Sequence, residues 1–194
     1  MTNLYSIAVY CGSRDGASPA YIDAARDLGR DMVARGVDLV FGGGSAGIMG
    51  ELADTILRGG GRVTGVIPHF LDELEVGHKN VTELIRVDNM HIRKATMFSR
   101  ADAFVILPGG LGTLEEFFEV VAWKQLNLHQ KPIVVLNVAG CWSGLTDLTN
   151  DIVMAGFAHE NIADLYSMVE TVDDIFRVIS EALIPDHRPV GERL

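Results

Sequence analysis

Residues 103–116 read AFVILPGGLGTLEE. A short apolar run is followed by a proline, a glycine-rich turn, and two carboxylates that open an amphipathic stretch. An unbroken apolar run of strand length is the pattern of a strand covered on both faces. The same plan occurs upstream, where 38–50 reads DLVFGGGSAGIMG. Two strand–glycine turn–helix units in one chain predict a parallel sheet with helices on both faces.

The rest of the chain repeats the alternation. Strands are expected at 6–11, 38–41, 62–67, 84–87, 103–107 and 133–138, with a weaker one at 165–169. Helices are expected at 19–35, 47–58, 90–101, 113–128 and 142–154, and over a final stretch to 183. Ser18-Pro19 is a helix start, with Ser as N-cap and Pro at the first helical position. Gly36 is the matching stop. Residues 69–81 read as an irregular polar connection. The expected architecture is a single doubly wound, Rossmann-like α/β domain over 1–184, its sheet mostly parallel, with a mobile tail over 185–194.

Composition limits what such a domain can do. The chain has 194 residues, 16 Lys plus Arg against 26 Asp plus Glu, and a formal net charge of −10. A surface of that sign repels nucleic acid and anionic membranes, so neither is an expected partner. Two cysteines, Cys11 and Cys141, are too few for a disulfide framework and have no CxxC partner. The histidines show no metal-ligand spacing, so no metal is expected. The start, MTNLYSIAVYCGSRDG, lacks the pattern of a secretory signal, and no apolar run approaches a membrane span. A cytoplasmic chain with reduced thiols is the expectation. Glycine accounts for 21 residues, above the usual share of about 7%. Five of them lie within 42–50 and three within 109–112.

Both clusters suit an anion. Gly42, Gly44 and Gly47 fit GxGxxG between a strand and a helix, a context in which bare backbone N–H groups and the helix dipole can hold a phosphate. Close packing of helix on strand would require the same glycines. A dinucleotide site would also want a carboxylate about 20 residues on. The strand there ends Val66-Ile67-Pro68-His69, so a mononucleotide or sugar phosphate fits better than NAD. In the second cluster Gly109, Gly110 and Gly112 expose N–H groups. Thr113 offers a hydroxyl, as N-cap or as ligand donor. Leu114, Phe117, Phe118, Val120 and Val121 form the core stripe, leaving Glu115 and Glu119 toward water. Glu116, about 100° round from Glu115, can look back over the loop. Arg93 and Lys94 stand at a helix start, where cations oppose the dipole. They read either as counter-charges for an anion or as an exposed pair bonded to Asp88 or Asp102. His91 beside them is an acid–base candidate or a structural residue. Glu75 has no local context that marks it. Met97, Phe98, Val121, Trp123 and Leu126 read as exposed apolar residues, an expected subunit contact.

Three motifs in order carry a family resemblance: GGGSAGIMG from Gly42 to Gly50, MHIRKA from Met90 to Ala95, and PGGLGTLEE from Pro108 to Glu116. Together they resemble the Lonely Guy family of cytokinin-activating phosphoribohydrolases, whose members carried the label "possible lysine decarboxylases". The likeness spans about residues 6–180. It implies cleavage of the N-glycosidic bond of N6-modified adenosine 5′-monophosphates, and of AMP in many relatives, without a cofactor. It implies Arg93 and Glu116 as the catalytic pair. It places Glu75, Lys94, Gly110, Leu111, Gly112, Thr113, Leu114 and Glu115 at substrate positions. Gly109, Gly12, Ser13, Gly43, Gly44, Ser45, Gly47 and Met90 complete the expected binding set. It further implies a homodimer. One departure is Ala122, where some members carry a threonine, which bears on base preference.

The carboxylate chemistry fits. Glycosidic cleavage builds positive charge on the ribose, and Glu116 could stabilise that charge or align a water. Arg93 could assist the departing base or lock the substrate. A pyridoxal phosphate decarboxylase would need a Schiff-base lysine in a supporting context, which Lys79, Lys94, Lys124 and Lys131 lack. The alternative is a non-catalytic carrier of the molybdenum-cofactor type, which would have no use for an Arg93–Glu116 pair.

Overall fold

A computed structural model of the protein describes residues 4–74 and 76–184. Seven strands form one parallel sheet: β1 (Ser6–Tyr10), β2 (Asp38–Phe41), β3 (Val63–Pro68), β4 (Glu83–Val87), β5 (Ala103–Ile106), β6 (Ile133–Leu136) and β7 (Ser167–Val169). Their spatial order is β4-β3-β2-β1-β5-β6-β7. The winding therefore reverses between β1 and β5, and a crevice opens there beyond the carboxyl ends of the strands. The helices are α1 (Pro19–Arg35), α2 (Gly47–Arg58), α3 (His69–Asp72), α4 (Met90–Ser99), α5 (Leu111–Gln125), α6 (Ser143–Met154) and α7 (Val172–Ala182). The fold is the doubly wound α/β class that the alternation predicts.

The period-2 pleat sorts the strand residues onto two faces. Ile7, Val9, Val105 and Leu136 join α1, α2 and α7 residues such as Leu28, Leu52 and Phe176 in one core. Ala8, Phe104, Ile106 and Val135 join Met97 of α4, Phe117 and Val120 of α5 and Leu145 of α6 in the other. Both faces of β1, β5 and β6 are thus covered, the physical reason that these strands read as unbroken apolar runs.

Local signals set several boundaries. Ser18 Oγ accepts from the N–H of Ala20, and Gly36 closes α1 at φ 66°, in the left-handed region open to glycine. Asn89 caps α4, its side chain accepting from the N–H of Ile92. Three expectations are corrected. Residues 69–72 form a single helical turn with none of its residues buried, so there was no apolar pattern to read. Helix α5 starts at Leu111 with Gly110 as its N-cap, so Thr113 is a buried helical residue and not the cap. Met97 and Val121 lie in the second core, while Phe98 and Trp123 are half-buried and meet edge to face at 5.0 Å. Of that expected apolar set Leu126 is exposed. The expected tail over 185–194 lies outside the described residues.

Candidate active site

Three loops leave the carboxyl edge of the sheet on either side of the reversal and meet. The N–H of Gly12, after β1, donates to the carbonyl of Pro108, after β5, at 3.0 Å. A Cβ on Gly12 would lie 3.3 Å from Gly109 Cα. The first glycine loop closes on the same segment: Met49 N–H donates to the Gly12 carbonyl, and a Cβ on Gly47 would fall 2.3 Å from the backbone nitrogen of Arg14. Gly47 also holds φ 64°, so both conformation and space restrict that position to glycine. The connection after α3 folds back over this loop. Gly44 and Gly77 form an antiparallel bridge. Ser45 N–H donates to Val76 O at 2.9 Å, and His78 N–H to Gly43 O at 2.8 Å. His78 is itself buried and bonds Asp54 at 3.1 Å.

Between these loops lies a cavity of about 1060 Å³. Its wall includes Gly12, Ser13, Gly44, Ser45, Met90, Arg93, Gly109, Gly110, Leu111, Gly112, Thr113, Glu115 and Glu116 among the sequence-expected residues. Gly43, Gly47, Lys94 and Leu114 lie off that wall among the described residues. Glu75 falls outside the described residues. His91 and Ala122 are exposed and away from the cavity.

The centre of the wall is an ion pair. Arg93 Nη1 donates to Glu116 Oε1 at 2.8 Å, and both side chains are 9% exposed. Arg93 Nε donates to the carbonyl of Val66 at 3.0 Å, so the guanidinium is fixed at two points. The space it occupies is provided by Gly42: a Cβ there would lie 1.8 Å from Arg93 Nη2. Burial pushes the Glu116 carboxyl above its ordinary value, and the Arg93 charge and hydrogen bond pull it back part of the way. The same burial, with the Glu116 charge adding to it, pushes the Tyr10 phenol and Cys11 thiol upward, so Cys11 stays a neutral thiol.

Lys94 behaves differently from its neighbour. Nearly buried, it bonds Glu115 and reaches Glu119 Oε1 at 2.8 Å, tying α4 to α5. Neither Asp88 nor Asp102 is its partner, and the exposed-pair reading of Arg93 and Lys94 is overturned. Pairing across two helices is invisible to sequence spacing.

The two glycine clusters separate in character. In the first, Gly42 makes room for Arg93, Gly43 packs on Ile67, Gly47 on the Ser13–Arg14 backbone, and a Cβ on Gly50 would strike the Ser45 carbonyl at 2.2 Å. Packing accounts for all four. In the second, a Cβ on Gly110 or Gly112 would meet nothing within 4 Å. Helix α5 takes no side-chain cap, so N–H groups of its first turn have no intrahelical partner and remain for a ligand. Two polar wall residues stand out among those that sequence reading missed. Arg14 follows the expected Ser13, and Trp142 carries a buried indole N–H with no partner among the described residues.

The wall contains no lysine among the described residues. Lys131 donates instead to the carbonyl of Phe98 at 2.6 Å and sits over the Phe98 ring.

Comparison with known proteins shows the family. Residues 49–179 match the family model described as "Possible lysine decarboxylase". A rice protein named probable cytokinin riboside 5′-monophosphate phosphoribohydrolase LOGL9 is 52% identical over 151 residues, which is 78% of this chain and 66% of that one. The Arabidopsis thaliana cytokinin riboside 5′-monophosphate phosphoribohydrolase LOG4 is 42% identical over 188 residues, 97% of this chain and 87% of that one. Among solved structures, a Moco carrier protein from Chlamydomonas reinhardtii matches with TM-score 0.69 at 20% identity, covering 93% of this chain and 98% of that one. A likeness at that identity speaks for the fold alone. The relatives matched over nearly the whole chain speak for more, and on them the chain belongs to the Lonely Guy family of phosphoribohydrolases.

Proposed function

We propose that this protein hydrolyses the N-glycosidic bond of adenosine 5′-monophosphates, N6-modified ones and AMP among them, giving free base and ribose 5-phosphate. The observation that carries this reading is the buried Arg93–Glu116 pair on the wall of a cavity that also receives the uncapped start of α5. The phosphate docks on the N–H groups of the Gly110–Thr113 turn, with Thr113, Ser13 and Ser45 as hydroxyl donors. Glu116, ionised, stabilises the positive charge that develops on the ribose and aligns the attacking water. Arg93 acts on Glu116: held by the Val66 carbonyl, it fixes the carboxylate's direction and opposes its protonation. Water supplies the hydroxyl to the ribose carbon, its proton passes to the departing base, and no cofactor takes part. A carrier would have no use for a buried carboxylate beside its ligand, and the pair favours the hydrolase.

We assign the protein to the cytoplasm and to a homodimer. The dimer reading draws on Leu126 and Leu128, 68% and 66% exposed at the end of α5. The activity is tested by incubating the protein with isopentenyladenosine 5′-monophosphate and with AMP and following free base by chromatography. Release of base from either is the expected result, and no base from both overturns the reading.

A further inference from the structure

The two cations that the sequence offers to an anion are already committed. Arg93 pairs with Glu116, and Lys94 with Glu115 and Glu119. That cluster sets two cations against three carboxylates, so it has no positive charge to spare. A 5′-phosphate brings about −1.5 to −2 at neutral pH. The start of α5 offsets roughly half a charge of it. A dianion entering this cavity needs a further cation.

Among the described residues, the charged ones on the cavity wall are Arg14, Arg93, Glu115 and Glu116, and of these Arg14 alone has no oppositely charged partner there. The contrast extends over the molecule: among the described residues every other arginine forms an ion pair with a carboxylate. In a chain of net charge −10, an arginine left unpaired on a cavity wall stands apart. Its backbone is fixed rather than loose. It lies against Gly47 at the start of α2, and the same loop is bonded through Gly12 to Pro108, at the entry to α5. The side chain, by contrast, is exposed and uncommitted.

We propose that Arg14 is the cation that pairs with the substrate's 5′-phosphate, and that it makes the site select nucleotides over nucleosides. This rests on the hydrolase reading above and deepens it. A guanidinium on phosphate is a charge-assisted contact of the stronger kind, and its loss acts on binding before the reacting bond is touched.

The test compares wild type with Arg14→Ala and Arg14→Lys. Turnover of AMP and of adenosine is measured, and binding of ribose 5-phosphate is measured by calorimetry. Arg14→Ala is expected to raise KM for AMP about 10- to 100-fold, as for a hydrogen bond to a charged group, with kcat within about two-fold. Ribose 5-phosphate binding weakens by the same factor, adenosine turnover is unchanged, and Arg14→Lys recovers part of the loss. Tm stays at the wild-type value, because the side chain is exposed. Changes of less than about two-fold in both the AMP KM and ribose 5-phosphate binding overturn the proposal. If wild type releases no base from any nucleotide, the hydrolase reading fails, and ribose 5-phosphate binding alone still decides for or against Arg14.

Discussion

Arg93 Nη1 and Glu116 Oε1 meet at 2.8 Å, and each side chain is 9% exposed. Two full charges so far from water hold only as a pair. Glu116→Gln keeps a hydrogen-bonding oxygen for Arg93 but removes the charge, so turnover falls by orders of magnitude while the fold survives. Glu116→Ala leaves the guanidinium buried and uncompensated, and costs about 3–5 kcal/mol of stability as well. Steady-state kinetics and urea unfolding of the two variants separate these effects.

The acid side of the pH–rate profile follows from burial of Glu116. Its carboxyl is held above its ordinary value of 4.5, and the ionised form does the work. Activity therefore fades as pH falls through a midpoint above 4.5. Stability runs the other way for this group. A carboxyl with a raised folded pKa contributes most below 4.5, and that contribution is lost as pH rises through the raised value. Unfolding curves of wild type and Glu116→Gln across this window should converge at low pH and diverge above it, with wild type losing ground.

Three glycines with different surroundings should respond differently to alanine. Gly36 holds φ 66° with nothing within 4 Å of an added Cβ, so Gly36→Ala costs about 1–2 kcal/mol from the left-handed backbone alone. Gly47→Ala adds a clash with the Ser13–Arg14 backbone and costs more. Gly42→Ala strikes the guanidinium of Arg93, so turnover drops further than stability does. Paired denaturation and kinetic measurements on all three check the order.

Lys94 neutralises Glu115, which lies on the cavity wall. Lys94→Met would leave that carboxylate facing an incoming phosphate. The KM for AMP is expected to rise several-fold, with that for adenosine unchanged, and added salt should shrink the difference.

Most of the sheet was legible because its inner strands are covered on both faces and so read as unbroken apolar runs. Helix α1 was legible to the residue, from Ser18-Pro19 to Gly36. What escaped reading depends on which helix faces which. Met97 and Val121 look like a free apolar surface on their own helices, yet both are buried in the second core of the sheet. Lys94 looks like a spare cation until α5 brings Glu115 and Glu119 to it. Gly42 fits a phosphate motif, yet its bare backbone makes room for an arginine from 51 positions further along the chain. Arg14 escaped for the opposite reason: only when the other arginines have found their partners does its isolation become visible.

The crossed pair of hydrogen bonds at the Gly44–Gly77 bridge provides the molecule with an internal gauge. The amides of Ser45 and His78 belong to two different loops, and each donates to a carbonyl of the other loop. If those loops part as one body, the two amides exchange with solvent deuterium at matched protection, set by a single opening equilibrium. Deuterium uptake at two backbone nitrogens would then report how often one wall of the cavity comes away, with no ligand, label or chemical step required.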